Sequence, residues 1–223
     1  MTVLVGHNDR NYWSFRRTAV LENRVAISDA LIALSARLEA MGASELEIVV
    51  IGGAALSVLG FVDRSTRDVD VLALGVRTPD SLAPLLIKSR PLPDALRTAA
   101  QGVQRDLGLG EDWLNAGPAD LLDHGLPAGF AERLVGQRFG ARLLVSFPAR
   151  EDLIALKVYA AADTGVGRHT EDLAALGATP TELLAGARWA RSQDPSHGFK
   201  SMLLALLKYY GALAEAEVFD SEP

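Results

Sequence analysis

The pattern of apolar and polar positions divides the chain into a strand-rich first part and a helical last part. Residues 28–41 place apolar side chains at helical spacing, whereas 47–51 and 142–147 are short apolar runs typical of buried strands. Residues 68–74 form another such run, which begins with two acids. Further helices are predicted over 54–59 and 94–107, and 108–130 is predicted to be irregular.

After Pro148 the pattern is helical to the end. It predicts a long helix to about Ala162, then helices near 169–176, 180–191 and 196–213. Leucines surround the last of these, so we expect that helix to be buried. The predicted fold class is α+β, a small mixed sheet flanked by helices with a helical C-terminal half. We place the boundary between an α/β domain and this helical region after residue 147 (1–147 and 148–223).

Composition excludes several functional classes. The 223 residues include no cysteine, which excludes disulfides, zinc-thiolate sites and a cysteine nucleophile. The chain carries no signal-peptide pattern and no apolar run long enough to span a membrane. It also lacks the Gly-x-Ser-x-Gly and P-loop motifs. We therefore expect a soluble, cytoplasmic protein without a membrane partner.

The charge balance limits how the chain could contact nucleic acid. Twenty-two Lys and Arg against 28 Asp and Glu give a net charge of −6, so only a local basic patch could bind RNA. The alternative is that these arginines are solvated surface residues. The arginines considered are Arg10, Arg16, Arg17 and Arg24 near the start, and Arg133, Arg138 and Arg142 in the middle.

The sequence motif that most clearly indicates a reactive site is Ile51-Gly52-Gly53 followed by Asp68-Val69-Asp70-Val71. Side chains alternate on a strand, so Asp68 and Asp70 share a face, about 6.6 Å apart along it. By the same alternation, Val69, Val71 and Ala73 are expected to face the opposite way, into a core.

Two neighbouring carboxylates repel each other unless a cation lies between them. A divalent metal is the usual cation, and magnesium with a triphosphate is the usual use of paired oxygen ligands. We therefore predict that Asp68 and Asp70 are catalytic and bind Mg²⁺ (or Mn²⁺). The alternative is a solvated strand face, which the dense apolar flanks disfavour.

A turn at Gly52 and Gly53 could bring backbone N–H groups close to a phosphate, although such a turn can also serve packing alone. Arg64 and Thr66 precede the acidic strand and could contact the nucleotide phosphates or organise the turn. We include all four among the predicted nucleotide-binding residues.

Lys157 lies within LIALKVYAAA, where every other residue is apolar or aromatic. A buried ammonium needs a partner or a cleft, so Lys157 is predicted to bind nucleotide and take part in catalysis; the alternative is a lysine that reaches solvent from the helix edge. Arg168, His169 and Asp172 open the next helix. Arg168 is a predicted nucleotide ligand and His169 a surface or capping residue. Asp172 could orient Lys157, act as a general base, or be an ordinary first-turn aspartate.

Together these residues resemble the polymerase-β-like nucleotidyltransferase superfamily, and within it the AbiEii and MenT-like toxin branch with its uncharacterised bacterial relatives. The resemblance covers about 45–190. It is carried by IGGAAL, RSTRDVDVL, DWLN, REDLIALKVYAA, GRHTEDLAAL and TPTELLAGARW.

The resemblance implies a nucleotidyltransferase sheet in 1–147, with a helical region that completes the cleft. It implies magnesium on Asp68 and Asp70, triphosphate at Gly53, phosphate binding by Lys157, and Asp172 as the late aspartate of the site. Many members of the superfamily carry a third metal carboxylate on a later strand, and RLLVSF offers none.

The function predicted from these observations is Mg²⁺-dependent transfer of a nucleoside monophosphate from an NTP to an acceptor hydroxyl. The resemblance suggests a tRNA 3′ end or a protein as acceptor, and a toxin that a cognate antitoxin restrains. The alternative is a catalytically degenerate relative that binds nucleotide or a partner protein. The missing third carboxylate motivates that alternative.

Overall fold

The computed structural model describes residues 18–222, so Arg10, Arg16 and Arg17 of the predicted basic patch lie outside the described residues. The strands are β1 (Leu46–Ile51), β2 (Val69–Val76), β3 (Leu85–Ile87), β4 (Leu114–Asn115), β5 (Val135–Arg138) and β6 (Leu143–Phe147). The helices are α1 (Arg24–Ala40), α2 (Gly52–Val58), α3 (Asp94–Leu107), α4 (Arg150–Thr164), α5 (Arg168–Ala175), α6 (Pro180–Gln193), α7 (His197–Tyr209) and α8 (Leu213–Ser221).

The six strands form one mixed sheet in the order β3-β2-β1-β6-β5, with β4 paired to β2. β1 runs antiparallel to β2 and parallel to β6. Within residues 18–222, five of the eight α-helices follow β6, so the mixed α+β class and the helical C-terminal half are confirmed. The predicted strands and long helices are present with ends shifted by a few residues.

An irregularity in the pairing of β1 with β2 changes which residues share a face. Val49 pairs with Ala73 but Val50 pairs with Val71, so Leu72 is an extra residue in β2. Val69 and Val71 therefore join the larger hydrophobic cluster, while Ala73 joins the smaller one with Leu72. The expectation that Ala73 shares a face with Val69 was wrong, because the bulge reverses the alternation.

The larger hydrophobic cluster extends from the sheet into the C-terminal helices, and Leu203, Leu206 and Leu207 of α7 are buried in it. The helix predicted over 196–213 ends earlier, at Tyr209, and a separate helix that was not predicted, α8, begins at Leu213. Gly211 has φ +71° in the turn between α7 and α8, a conformation that favours glycine and ends the helix.

The short strands β3, β4 and β5 were not predicted, and neither was the 3-10 helix Gly117–His124. All four residues of β5 are exposed, so it has no apolar face to create an alternating pattern. In residues 18–222 no helix is long and apolar enough to cross a membrane.

Candidate functional site

Asp68 and Asp70 lie where β2 begins, and the structure brings both side chains to one cleft. Asp68 directly precedes the strand, and Asp70 pairs with Ile51, the last residue of β1. Both carboxylates line a cavity of about 660 Å³, which we call the first cleft. Among the residues described, neither forms an ion pair with a basic side chain.

Asn115 contacts Asp70 from the edge of β2 that lies away from β1. The short strand β4 places Asn115 in register with Asp70. The Asn115 side-chain Nδ2 donates to Asp70 Oδ1 at 3.1 Å, and its Oδ1 accepts from the Gly117 backbone N–H at 2.8 Å. Asn115 was not among the predicted site residues, since DWLN has no periodicity that places it beside Asp70. An amide therefore occupies the strand position next to Asp70 on the side away from β1.

The electrostatics of the pair suit a divalent cation. Burial raises the pKa of the Asp70 carboxyl, and the neighbouring Asp68 raises it further; the Asn115 hydrogen bond and the Lys157 charge oppose this. Residues 18–222 contain no group of three His, Cys, Asp or Glu side chains arranged for a metal. Two carboxylates that line an open cleft nevertheless fit a hard cation, which often retains water ligands.

Glycine is required at position 52, and position 53 leaves little room for a side chain. Gly52 has φ +73°, and a Cβ at this position would collide with the Asp70 carboxylate. A Cβ on Gly53 would lie 3.1 Å from Arg168 Nη2 and 3.2 Å from Thr66 Oγ1. Both glycines line the first cleft, so the bare backbone leaves room beside the acids.

Thr66 organises the turn and also lines the cleft. Its hydroxyl donates to the Asp68 backbone carbonyl at 3.2 Å and lies 3.3 Å from Asp68 Oδ1. Its backbone N–H donates to the carbonyl of Leu21, and its carbonyl accepts from the Leu21 N–H. These contacts fix the position of the backbone just before Asp68.

Lys157 projects from α4 into the first cleft although it is only 6% exposed. Its Nζ lies 2.8 Å from Asp172 Oδ2, and Arg64 Nη2 donates to Asp172 Oδ1 at 2.5 Å. Asp172 is fully buried behind Lys157 and does not line the cleft, and Arg64 does not line it either. The geometry thus places Asp172 where it orients Lys157, and Arg64 where it completes that network.

Arg168 and His169, at the start of α5, border the same cleft. Arg168 is exposed, and its Nη2 donates to the Ser65 carbonyl at 3.2 Å, close to Gly53. His169 is partly buried, and its Nδ1 has no hydrogen-bond partner among the described residues. Burial and the nearby charge of Lys157 lower the His169 pKa, so its neutral form is favoured. Its place in the cleft was not predicted, because its local sequence matches an ordinary helix start.

A family comparison now bears directly on these residues. A family model described as a nucleotidyltransferase of unknown function (DUF6036) matches residues 29–167. The chain belongs to this family. The matched region contains the glycine turn, both acids, Asn115 and Lys157, and it ends just before Arg168. No curated protein and no solved structure matches the chain. Membership supports the nucleotidyltransferase superfamily, whereas the AbiEii and MenT-like branch stays a prediction.

The remainder of the first cleft is lined by both apolar and acidic side chains. Leu156, Tyr159 and Ala160 of α4 line it opposite the 3-10 helix, which contributes Asp120 and Asp123. Both of these acids pair with Lys88 Nζ, at 2.8 and 2.6 Å. The cations that remain facing the cleft therefore lie on the side of Lys157 and Arg168, beside the glycine turn.

Two of the three arginines considered as a basic patch in the middle of the chain are paired within the protein. Arg133 binds the buried Asp152, with Nη2 to Oδ1 at 2.5 Å, and Arg138 pairs with Glu45 at 2.9 Å. Both guanidinium groups are thus neutralised by carboxylates on the protein itself. This arrangement agrees with the alternative reading of these two arginines as ordinary surface and structural residues.

Proposed function

We propose that the protein is a Mg²⁺-dependent nucleotidyltransferase that moves a nucleoside monophosphate from an NTP to an acceptor hydroxyl. The observation that carries the proposal is the first cleft, in which Asp68 and Asp70 lie beside a bare glycine turn and share one cavity with Lys157. A carboxylate pair and a buried ammonium around one cavity are the groups needed to neutralise a metal-bound polyphosphate.

Asp68 and Asp70 would hold the metal, which supplies positive charge to the phosphate oxygens when it is bound. Lys157 would bind a phosphate oxygen with its ammonium, and Arg168 would add a second cation at the mouth of the cleft. Asp172 and Arg64 act through Lys157, because their contacts fix its side chain and neither reaches the cleft. Asn115 would keep Asp70 Oδ1 in place and leave Oδ2 for the metal.

A second candidate function is nucleotide binding without transfer. Asn115 favours it, because an amide cannot supply the negative charge of a third carboxylate and occupies the position next to Asp70. A tRNA or protein acceptor, the toxin role and a cognate antitoxin stay predictions from the resemblance.

The test is incubation of the purified protein with each α-³²P-labelled NTP, MgCl₂ and either total tRNA, total bacterial protein or a low-molecular-mass extract. Transfer should require magnesium, release pyrophosphate and disappear in Asp70→Asn. Tight binding of Mg-NTP without pyrophosphate release would replace the enzyme by the binding function. The absence of both would remove the nucleotidyltransferase proposal.

A further inference from the structure

A second cleft of about 590 Å³ opens on the other side of the two acids. It shares Asp68, Asp70 and Gly117 with the first cleft, and none of its other lining residues borders that cavity. Its walls come from the loop after β3, from α3, and from the segment that leads into β4. The carboxylate pair therefore stands at the junction of two cavities.

The walls of the second cleft are held together by buried contacts. Trp113 is 1% exposed, and its indole Nε1 donates to the Ala100 carbonyl of α3 at 3.0 Å. The next two residues form β4, where Asn115 contacts Asp70. This explains the position of Trp113 in the DWLN segment: it joins α3 to the strand that borders the acids, so the cavity between them keeps its shape.

Substitution at phosphorus constrains where the acceptor must come from. The attacking oxygen and the leaving oxygen lie roughly in line on opposite sides of the phosphorus atom. With the β- and γ-phosphates beside Lys157 and the glycine turn, the leaving side faces the first cleft. The attacking hydroxyl must then arrive from the other side of the acids, where the second cleft opens.

We propose that the second cleft binds the acceptor, and that the acceptor is a small hydroxyl compound without phosphate groups; this rests on the proposed function. The acceptor oxygen bonds to the α-phosphorus while the bond from that phosphorus to the bridging α,β oxygen breaks. Pyrophosphate leaves with the electron pair, and the hydroxyl proton passes to water in the open cleft.

The size and charge of the second cleft set the acceptor class. Cavities of about 300–1,000 Å³ are typical of small-molecule sites. Its two arginines are already paired within the protein, Arg90 with Asp120 and Arg97 with Asp94. Glu111 and Asp112 are exposed and have no cationic partner within residues 18–222. Such a cavity repels a polyanion and accommodates a neutral or amine-bearing hydroxyl compound.

The experiment fractionates a bacterial extract into material below 3 kDa, protein and RNA, and adds α-³²P-labelled NTP with MgCl₂ to each fraction. A new magnesium-dependent labelled product, separated from the NTP and its hydrolysis products by thin-layer chromatography, should appear in the fraction below 3 kDa. Exclusive labelling of RNA or of protein would overturn the proposed acceptor class. No labelling in any fraction would instead count against the proposed function, so the two failures are distinguishable.

A variant then locates the acceptor. Gln101 is exposed on α3 and lines only the second cleft, so Gln101→Trp should fill the cavity without disturbing the core. We expect at least a tenfold loss of transfer, with affinity for an α,β-methylene NTP analogue within twofold of the parent protein by calorimetry. Thr98→Trp, exposed on the same helix and lining neither cleft, is the matched control. Unchanged transfer in Gln101→Trp, or an equal loss of nucleotide affinity, would overturn the assignment.

Discussion

Replacing Asp70 by Asn should stabilise the protein without metal while removing its response to magnesium. Asp70 is partly buried beside Asp68, and burial together with that neighbour raises its pKa. Asn keeps the shape of the side chain and an oxygen that can accept from Asn115, but it removes the negative charge. The substitution therefore isolates the charge of Asp70.

The expected magnitude follows from the spacing of the two acids. At about 6.6 Å and an effective dielectric constant of about 20, the repulsion between two unit charges is about 2.5 kcal/mol, which is an upper value because salt screens it. For a protein of this size, 1 kcal/mol shifts the melting temperature by about 2–4 °C. The Asn variant should therefore melt roughly 2–10 °C above the parent protein without metal.

The pH dependence provides an internal check with a definite sign. Because the folded pKa of Asp70 is raised, the destabilisation is fully present above that pKa. It is lost as the pH falls and Asp70 becomes protonated, so the two melting curves should converge in acid.

The assay is thermal unfolding with EDTA and with MgCl₂ over a pH series. Magnesium should raise the melting temperature of the parent protein, because it binds only the folded state, and should leave Asp70→Asn unchanged. Asp63→Asn, at an exposed position in the preceding loop, is the control and should shift neither curve. A less stable Asp70→Asn, or an equal response of both proteins to magnesium, would refute the reasoning.

Three further predictions concern the residues that support the cleft. Asp172→Asn should lower the free energy of unfolding by about 3–5 kcal/mol, measured by urea unfolding, because it leaves the buried Lys157 without its counter-charge. The double variant with Lys157→Met should recover part of this loss. Equal stability of Asp172→Asn and the parent protein would contradict the prediction. Gly52→Ala should lose about 2 kcal/mol of stability and most of the magnesium-induced rise in melting temperature, because its Cβ displaces the Asp70 carboxylate. Gly60→Ala is the control, because Gly60 has a similar strained backbone (φ +82°) but no atom lies within 4 Å of the added Cβ. It should keep the magnesium-induced rise in melting temperature. If Gly60→Ala lost that rise as well, displacement of the Asp70 carboxylate would not be the cause. Glu182 caps α6 and binds Arg150, which lowers its pKa from 4.5 to about 2. Glu182→Gln should therefore lower the free energy of unfolding by about 1 kcal/mol at neutral pH, a modest figure because the side chain is partly exposed. In denaturant titrations, the difference in stability between the variant and the parent protein should vanish as the pH falls from 4.5 towards 2.

Much of the site can be predicted from local sequence because its parts are local. A glycine pair after an apolar run predicts a turn at the end of a strand, and Asp-x-Asp predicts two acids on one face. Lys157 stands out because an ammonium within nine apolar or aromatic residues needs a cleft or a partner. These inferences use neighbours within a few positions along the chain, and the structure places the residues concerned around one cavity.

Tertiary structure decided what depends on contacts between distant residues. Asn115 reaches Asp70 across 45 positions because β4 pairs with β2, and Asp172 lies behind Lys157 because α5 folds back on α4. The bulge at Leu72 moves Ala73 to the other face, which no alternation pattern shows. Sequence periodicity thus determined the long helices and the three longest strands, and it placed the two acids on one face. Strand register and helix packing determined the short strands and which charges meet, since these arise only when separate segments bury their apolar surfaces together.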